Sequence, residues 1–299
     1  MTDFVTATTR DLITVAGPDA VAYLQGQLSQ DVAKLAVGAA AWSFVLAPQG
    51  KVEGWGRVLR AGADEVRVDV DPGAGELWET RLRRFMLRTK AEITVSSDQP
   101  MVALRGRDAL ATLDKADLEA GLVWLPAGWP GVEGRDLFCE PAQAETVIDG
   151  LVKAGASRDG GAAVEAMRIR SGVPRWGAEL EADTIPASVG QWAIDASVDF
   201  AKGCYTGQEL VARIDSRGNK VPRRLVGLLS TGPAPAVGAD VLVDGSMVST
   251  VTSAVDEAGG SVGLCYLPRS VELTDRGLVA DVEGHECRLA ELPAYPLPD

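Results

Sequence analysis

The stretch KGCYTGQELVAR, residues 202–213, decides how the rest of the chain is read. Thr206-Gly207-Gln208-Glu209 has the Ser/Thr-x-x-Glu form of a capping box, which predicts a helix with Thr206 as its N-cap. Leu210, Val211 and Ile214 then supply an apolar face. Cys204 lies two residues ahead of that cap. A helix N-terminus carries partial positive charge, and Lys202 adds an ammonium. Both lower a thiol's pKa from its usual value of roughly 8.5 and raise the thiolate fraction. Gly203 and Gly207 allow close approach of backbone or ligand. Free cysteines are also among the most buried residues. Spacing alone therefore leaves two readings of Cys204 open, a reactive thiol and a small packed side chain.

The bulk numbers bound the classes. A chain of 299 residues implies two or three domains, and 46% hydrophobic with 24% charged residues suits a soluble globular protein. No run approaches about 18 apolar residues, so no membrane span is expected. The N-terminus MTDFVTATTRDLITV lacks the basic start and apolar core of a secretion signal, and a cytoplasmic location is expected. A net charge of −13 argues against general affinity for nucleic-acid phosphates. Two basic stretches, RLRRFMLRTK at 81–90 and RGNKVPRR at 217–224, remain as local grooves or solvated faces. Cys139, Cys204, Cys265 and Cys287 include no Cys-x-x-Cys pair, and His285 is the single histidine. That argues against a zinc site or iron–sulfur cluster held by this chain alone, so no metal ligands are assigned. A disulfide framework is not expected at this size in a reducing compartment. Any Ser-His or Cys-His catalytic pair would have to use His285, which sits in VEGHECRLA, an alternating segment, and reads as an ordinary turn or surface histidine.

Along the chain, strand and helix patterns alternate, with the strands in hairpin-like groups, which favours an α+β fold over a doubly wound parallel sheet. A short strand is expected at 12–15, then a helix with Asp19 as N-cap and Val21, Leu24 and Leu28 on one face. AAWSFVLAPQGKVEGWGRVLR reads as a hairpin turning at Pro48-Gln49-Gly50, and EVRVDV alternates with period two. GELWETRLRRFML is helical, with Leu77, Trp78, Leu82, Phe85 and Met86 on one face. AEITVSS and MVALRG return to strand; RDALATLDKA and PAQAETVIDGLVKAG are helices separated by the strand DLFCE. A helix over Ala162–Ser171 is stopped by Gly172 and Pro174, and a long loop containing Trp176 and Trp192 follows. From 225 onward only short strands with Gly and Asp turns appear, read as a separate β-barrel over 225–299 with an irregular tail, PAYPLPD.

With these residues on the page, KGCYTGQE resembles the Lys-Gly-Cys-[Tyr/Phe]-x-Gly-Gln-Glu signature of the YgfZ family of folate-binding proteins. These are relatives of the glycine-cleavage T-protein, an aminomethyltransferase. The matched positions are Lys202, Gly203, Cys204, Tyr205, Gly207, Gln208 and Glu209. VAGPDAVAYLQGQLSQDV, LAPQGKV, RLRRFMLRTKAEI, RIRSGVPRWGAEL and RGNKVPRRLVGL agree in order, so the likeness spans nearly the whole chain.

The resemblance implies two interleaved ferredoxin-like α+β domains, 1–55 with 145–224 and 56–144, and a C-terminal β-barrel, 225–299, around a central hole. It implies a tetrahydrofolate-type ligand there and a role in assembling or repairing iron–sulfur clusters in client enzymes. Some of those clients modify tRNA, which requires no RNA contact by this chain. It makes Cys204, Lys202 and Glu53 the chemically active candidates. For the folate it offers Arg170, Trp176, Trp192, Arg223 and Arg224: the tryptophans to stack on a flat ring, Arg223 and Arg224 to meet a glutamate tail. The T-protein has adjacent acids after its hairpin, whereas QGKVEGW has Glu53 followed by Gly54. Many relatives carry Glu in the Arg-Ile-Glu-Ala-Gly turn, where RIRSG has Arg170. A guanidinium donates and cannot accept from a pterin's N–H groups, so Arg170→Glu is expected to tighten folate binding. Two other readings stay open: a tetrahydrofolate-dependent one-carbon transferase or demethylase with Glu53 in proton transfer, and a ligand-free scaffold that keeps Cys204 for packing.

Overall fold

In the computed structural model, which describes residues 2–218, 220–274 and 277–295, a curled sheet and a closed barrel are joined through a central helix. The sheet strands are β1 (Phe4–Ala16), β2 (Ala40–Leu46), β3 (Val52–Arg60), β4 (Glu65–Val70), β5 (Glu92–Gly106), β6 (Leu125–Pro126), β7 (Glu133–Phe138) and β8 (Ser157–Arg158), in the order β2-β3-β4-β1-β5-β7-β6, with β8 alongside β1. The helices are α1 (Ala20–Gln27), α2 (Gly75–Arg84), α3 (Ala109–Lys115), α4 (Pro141–Lys153), α5 (Ala162–Ser171), α6 (Gln191–Ser197) and α7 (Gln208–Ser216). The barrel strands are β9 (Arg223–Ser230), β10 (Asp240–Val243), β11 (Ser246–Glu257), β12 (Gly260–Pro268), β13 (Leu278–Val282) and β14 (His285–Ala290), closed in the order β10-β11-β12-β9-β14-β13.

The expected strand at 12–15 is the end of a much longer one. The polar run Thr6–Arg10 carries no apolar alternation, yet β1 pairs with β5 along its whole length and with β4 at its far end. A register shift between Arg10 and Leu12 lets Val5 pack under α4 and Ile13 and Val15 under α1 and α2. Asp11, beside that shift, accepts the amides of Gly73 and Gly75 at 2.9 Å each and so places a carboxylate at the start of α2. AEITVSS and MVALRG likewise form one strand, β5. On α2, Trp78 and Leu82 are buried as the spacing requires, but Leu77 and Phe85 are exposed. Asp19 stands at the N-cap of α1 without capping it; its carboxylate accepts the Lys90 amide at 2.7 Å instead.

The expected boundary at 55/56 falls inside β3, and strands on both sides of it pair in one sheet. The long loop after α5 contains a 3-10 turn, Pro186–Val189, and α6, whose Ala193 and Ile194 pack under β2. The barrel expected from 225 begins at Arg223, and its interior is filled by Val226, Leu228, Val251, Cys265, Leu267, Cys287 and Leu289. Residues 292–295 of the tail return to α5: Ala294 N donates to Arg170 O at 2.7 Å, and the Tyr295 hydroxyl sits 2.7 Å from Ser171 Oγ. Residues 296–299, and Asn219 of the second basic stretch, lie outside the described residues.

Candidate functional site

The motif loop is mounted on the end of α1 and on the β2–β3 hairpin. Lys202 Nζ donates to the carbonyl oxygens of Gln25, Leu28 and Gln30 at 2.8, 2.6 and 2.8 Å, groups that a helix end leaves without intrahelical partners or that follow it directly. Burial pushes this ammonium down to about 8, against the pull of Asp31 and Asp199. Asp199 Oδ1 accepts the amides of Ala201 and Lys202 at 2.7 and 3.0 Å. Past the cysteine, Thr206 N donates to Gly26 O at 3.1 Å, and Tyr205 N to Gln208 Oε1 at 3.1 Å. The Tyr205 ring lies 5.0 Å from Lys202 Nζ, and burial pushes its hydroxyl up to about 12.

Thr206 is not the helix cap. Helix α7 begins at Gln208 with Gly207 at the N-cap, in the left-handed region at φ 82°. The reason is steric: a Cβ on Gly207 would stand 2.5 Å from Ala47 O and 2.7 Å from Leu46 Cβ, because the hairpin presses on the helix start. Gly50, at the hairpin turn, would meet Leu210 Cβ at 2.4 Å. Cys204 therefore stands four residues before Gln208, farther from the dipole than a capping box implies, and the ammonium of Lys202 is committed to carbonyls rather than to the sulfur. The thiol itself is exposed, and a Cβ on neighbouring Gly203 would meet no atom within 4 Å. Glu209 is exposed in the first turn of α7, where a carboxylate complements the dipole.

Glu53, on β3, is held by α2. Arg81 Nε donates to its Oε2, and Arg84 Nη1 stands 4.0 Å from Oε1. Arg81 also donates to Gln27 Oε1 at 3.0 Å and Leu46 O at 2.8 Å, so one guanidinium ties the acid to α1 and β2. The next position is closed: a Cβ on Gly54 would lie 2.2 Å from Nε1 of the buried Trp78.

The folate candidates do not converge. Trp176 lines a cavity of about 650 Å³ between the sheet and α5, together with Trp42, Trp55, Trp129, Arg10, Arg105, Asp71, Glu165 and Arg168. Trp192 and Arg224 line a separate cavity of about 490 Å³ with Lys220 and Arg269. Arg223 stacks on Tyr266 at 4.4 Å. Arg170 lines neither cavity; it pairs with Glu257 of β11 and donates to Ala294 O, joining α5 to the barrel and the tail.

Sequence spacing gave no hint of what surrounds Trp176. Trp42 and Trp55 stack at 4.0 Å and 9°, and Trp192 meets Trp55 edge-on at 5.9 Å. Beneath them runs a chain of charges across the sheet. Arg10 pairs with Asp69 and Asp71, Arg57 with Asp69 at 2.8 Å and Asp136 at 2.7 Å, and Arg105 with Asp136 at 2.8 Å. Burial alone raises Asp136, but Arg105 and Arg57 outweigh it and hold the carboxyl below its ordinary value. The available signal was Arg57 inside the apolar run GWGRVL; Asp69 alternates with Val68 and Val70 on the face of EVRVDV that also carries Arg67, and so gave none.

No family model matches the sequence. The chain is 30% identical over 314 residues to an aminomethyltransferase of Thermus thermophilus, covering 95% of this chain and 84% of that one. The chain belongs to the aminomethyltransferase family. YgfZ proteins are among its relatives: the tRNA-modifying protein YgfZ of Photobacterium profundum is 29% identical over 223 residues, 69% of this chain and 64% of that protein. The fold is that of the glycine cleavage system aminomethyltransferase T of Bartonella henselae, with a TM-score of 0.76 at 19% identity over 98% of this chain and 86% of that one. In this chain the hairpin acid Glu53 is followed by a glycine whose Cβ position is filled by Trp78. Among the described residues no helix is long and apolar enough to cross a membrane, and no group of three or more His, Cys, Asp or Glu is arranged to hold a metal ion.

Proposed function

We propose that the chain is a cytoplasmic folate-binding accessory protein that supports assembly or repair of iron–sulfur clusters in client enzymes, tRNA-modifying enzymes among them, through Cys204. The observation that carries this reading is the contrast between the two candidate reactive groups. Glu53 is locked by Arg81 beside a glycine that Trp78 keeps bare, whereas Cys204 is exposed in a loop whose flanks are fixed on both sides.

A reduced folate fits the tryptophan cavity in chemistry and in size. Its volume of about 650 Å³ lies within the roughly 300–1,000 Å³ of small-molecule sites. Trp42, Trp55, Trp129 and Trp176 offer flat faces for a pterin and an aminobenzoyl ring. Asp71 and Glu165 supply acceptors that Arg170 cannot, and Arg175 stands half-exposed as a partner for a glutamate carboxylate. When bound, the folate would supply one-carbon or redox chemistry; the residues named here bind and orient it.

Spectral titration with tetrahydrofolate should show saturable binding. Cys204→Ala should fold and bind folate normally yet lose its effect on the activity of a cluster-containing client. Normal client activity with Cys204→Ala would remove the thiol from the mechanism. Turnover of a methylamine donor would favour a one-carbon transferase instead, the activity named for the Thermus relative. Absence of folate binding would leave only a scaffold.

A further inference from the structure

The wall of the tryptophan cavity is charge-compensated, but it has one donor left over. Arg10 faces Asp69 and Asp71, Arg168 faces Glu165 and Glu179, Arg175 faces Glu165, and Arg105 faces Asp136. Arg105 is 2% exposed. Its Nη1 donates to Leu104 O at 3.0 Å and Arg135 O at 3.1 Å, yet its Nε has no partner among the described residues. An unmet donor on a buried cation costs more than one on a neutral group, and such orphans mark a place where a ligand or ordered water belongs.

What covers this guanidinium is an indole carried in a glycine-flanked turn. The Trp129 ring lies on it, 4.2 Å from Cζ. Trp129 and Pro130 are carried between β6 and β7 by Gly128 at φ 67° and Gly131 at φ 71°, conformations that glycine adopts without strain. The segment is pinned at its ends, by Trp42 Nε1 donating to Ala127 O at 3.1 Å and Ala127 N to Gly134 O at 3.1 Å.

We infer that Trp129 and Arg105 read the enclosed end of the ligand: the Trp129 segment lifts, and Arg105 Nε donates to a carbonyl oxygen on a neutral, flat heterocycle. This rests on the folate reading of the cavity and specifies which end of the ligand enters and what it must carry. Each guanidinium lining the cavity is already paired with a carboxylate, so an anionic group here would have to compete with those pairs. A carbonyl satisfies the orphan donor without adding charge. An amino group at the same position would oppose donor to donor.

The test compares folic acid with a diaminopteridine antifolate, which keeps the ring shape but has an amino group in place of the carbonyl oxygen. Calorimetry on the wild-type chain should favour the carbonyl ligand on the order of tenfold to a hundredfold, and Arg105→Met should abolish the preference. Trp129→Phe, which leaves Arg105 in place, should keep the preference and remove part of the tryptophan fluorescence change that accompanies binding. Equal affinity of the wild type for the two ligands, or a preference surviving in Arg105→Met, overturns the inference. Should Arg105→Met fail to fold, a fluorescence change unaltered in Trp129→Phe does so. If neither ligand binds the wild type, the folate reading falls and takes this inference with it.

Discussion

Two glycines of one motif should respond oppositely to alanine. Gly207 sits at φ 82°, with Ala47 O 2.5 Å and Leu46 Cβ 2.7 Å from where a Cβ would be. The left-handed conformation costs a residue with a Cβ about 1–2 kcal/mol. The overlap falls on backbone oxygen, which cannot rotate aside, so the hairpin and α7 must separate, at about 1–3 kcal/mol more. Gly207→Ala should thus lose about 2–5 kcal/mol. Gly203 has no positive φ and no atom within 4 Å of its Cβ position. Gly203→Ala should therefore stay within about 0.5 kcal/mol of wild type, or gain slightly because its unfolded chain has less freedom. Urea midpoints read by far-UV dichroism, at matched slopes, separate the two variants. The reasoning is refuted if Gly207→Ala unfolds with the wild type, or if Gly203→Ala loses more than about 1 kcal/mol. The contrast also isolates function: Gly203→Ala leaves the mount intact, so any loss of client activity in it reports on what approaches Cys204.

Lys202 makes stability depend on pH. Its folded value of about 8 lies below the 10.5 of a free lysine, so between those values the unfolded chain binds more protons and unfolding becomes harder as pH rises. The stability difference between wild type and Lys202→Met should therefore grow in favour of wild type from pH 8 to 10.5; a decline over that window would mean the three carbonyl bonds outweigh the ammonium's burial. Arg170→Glu, which the family pattern suggested as an improvement, should instead set two carboxylates against each other at Glu257 and lose about 2–4 kcal/mol, discounted for partial exposure. Adding Glu257→Arg should restore much of that loss in thermal melts, and tighter folate binding by Arg170→Glu alone would contradict the assignment of Arg170 to the joint between α5 and the barrel.

How much was legible follows from range. α5 was read to the residue because its signals are local, with Gly172 and Pro174 after an apolar-periodic run. The barrel was legible from turn glycines and short alternating strands. β1 was cut short because Thr6–Arg10 face a polar cavity, and alternation between an apolar core and polar surroundings cannot mark a strand whose inner face is itself polar. The capping box failed because Thr206-Gly207-Gln208-Glu209 says nothing about the hairpin pressing on Gly207, and that contact, far apart in sequence, moves the helix start. The Arg10–Asp69–Arg57–Asp136–Arg105 chain was invisible for the same reason: its members are scattered over five strands and become neighbours only through sheet register.

The same distinction between local motif and distant contact decides where chemistry resides. Three groups are candidates from the sequence resemblance: Glu53, Lys202 and Cys204. Moving a proton onto Glu53 would strip Arg81, 3% exposed, of its charge partner, and a buried guanidinium without one is strongly disfavoured. A second acid at Gly54 would first require removing Trp78, whose loss from the core costs about 3–5 kcal/mol. Lys202 cannot attack a substrate without abandoning the carbonyls that hold the loop to α1. Only the thiol is free of structural duty. The motif's own contacts go to the mount, with Lys202 and Thr206 fastening it to α1 and Gly207 to the hairpin, while a Cβ on Gly203 beside the exposed sulfur would meet no atom within 4 Å.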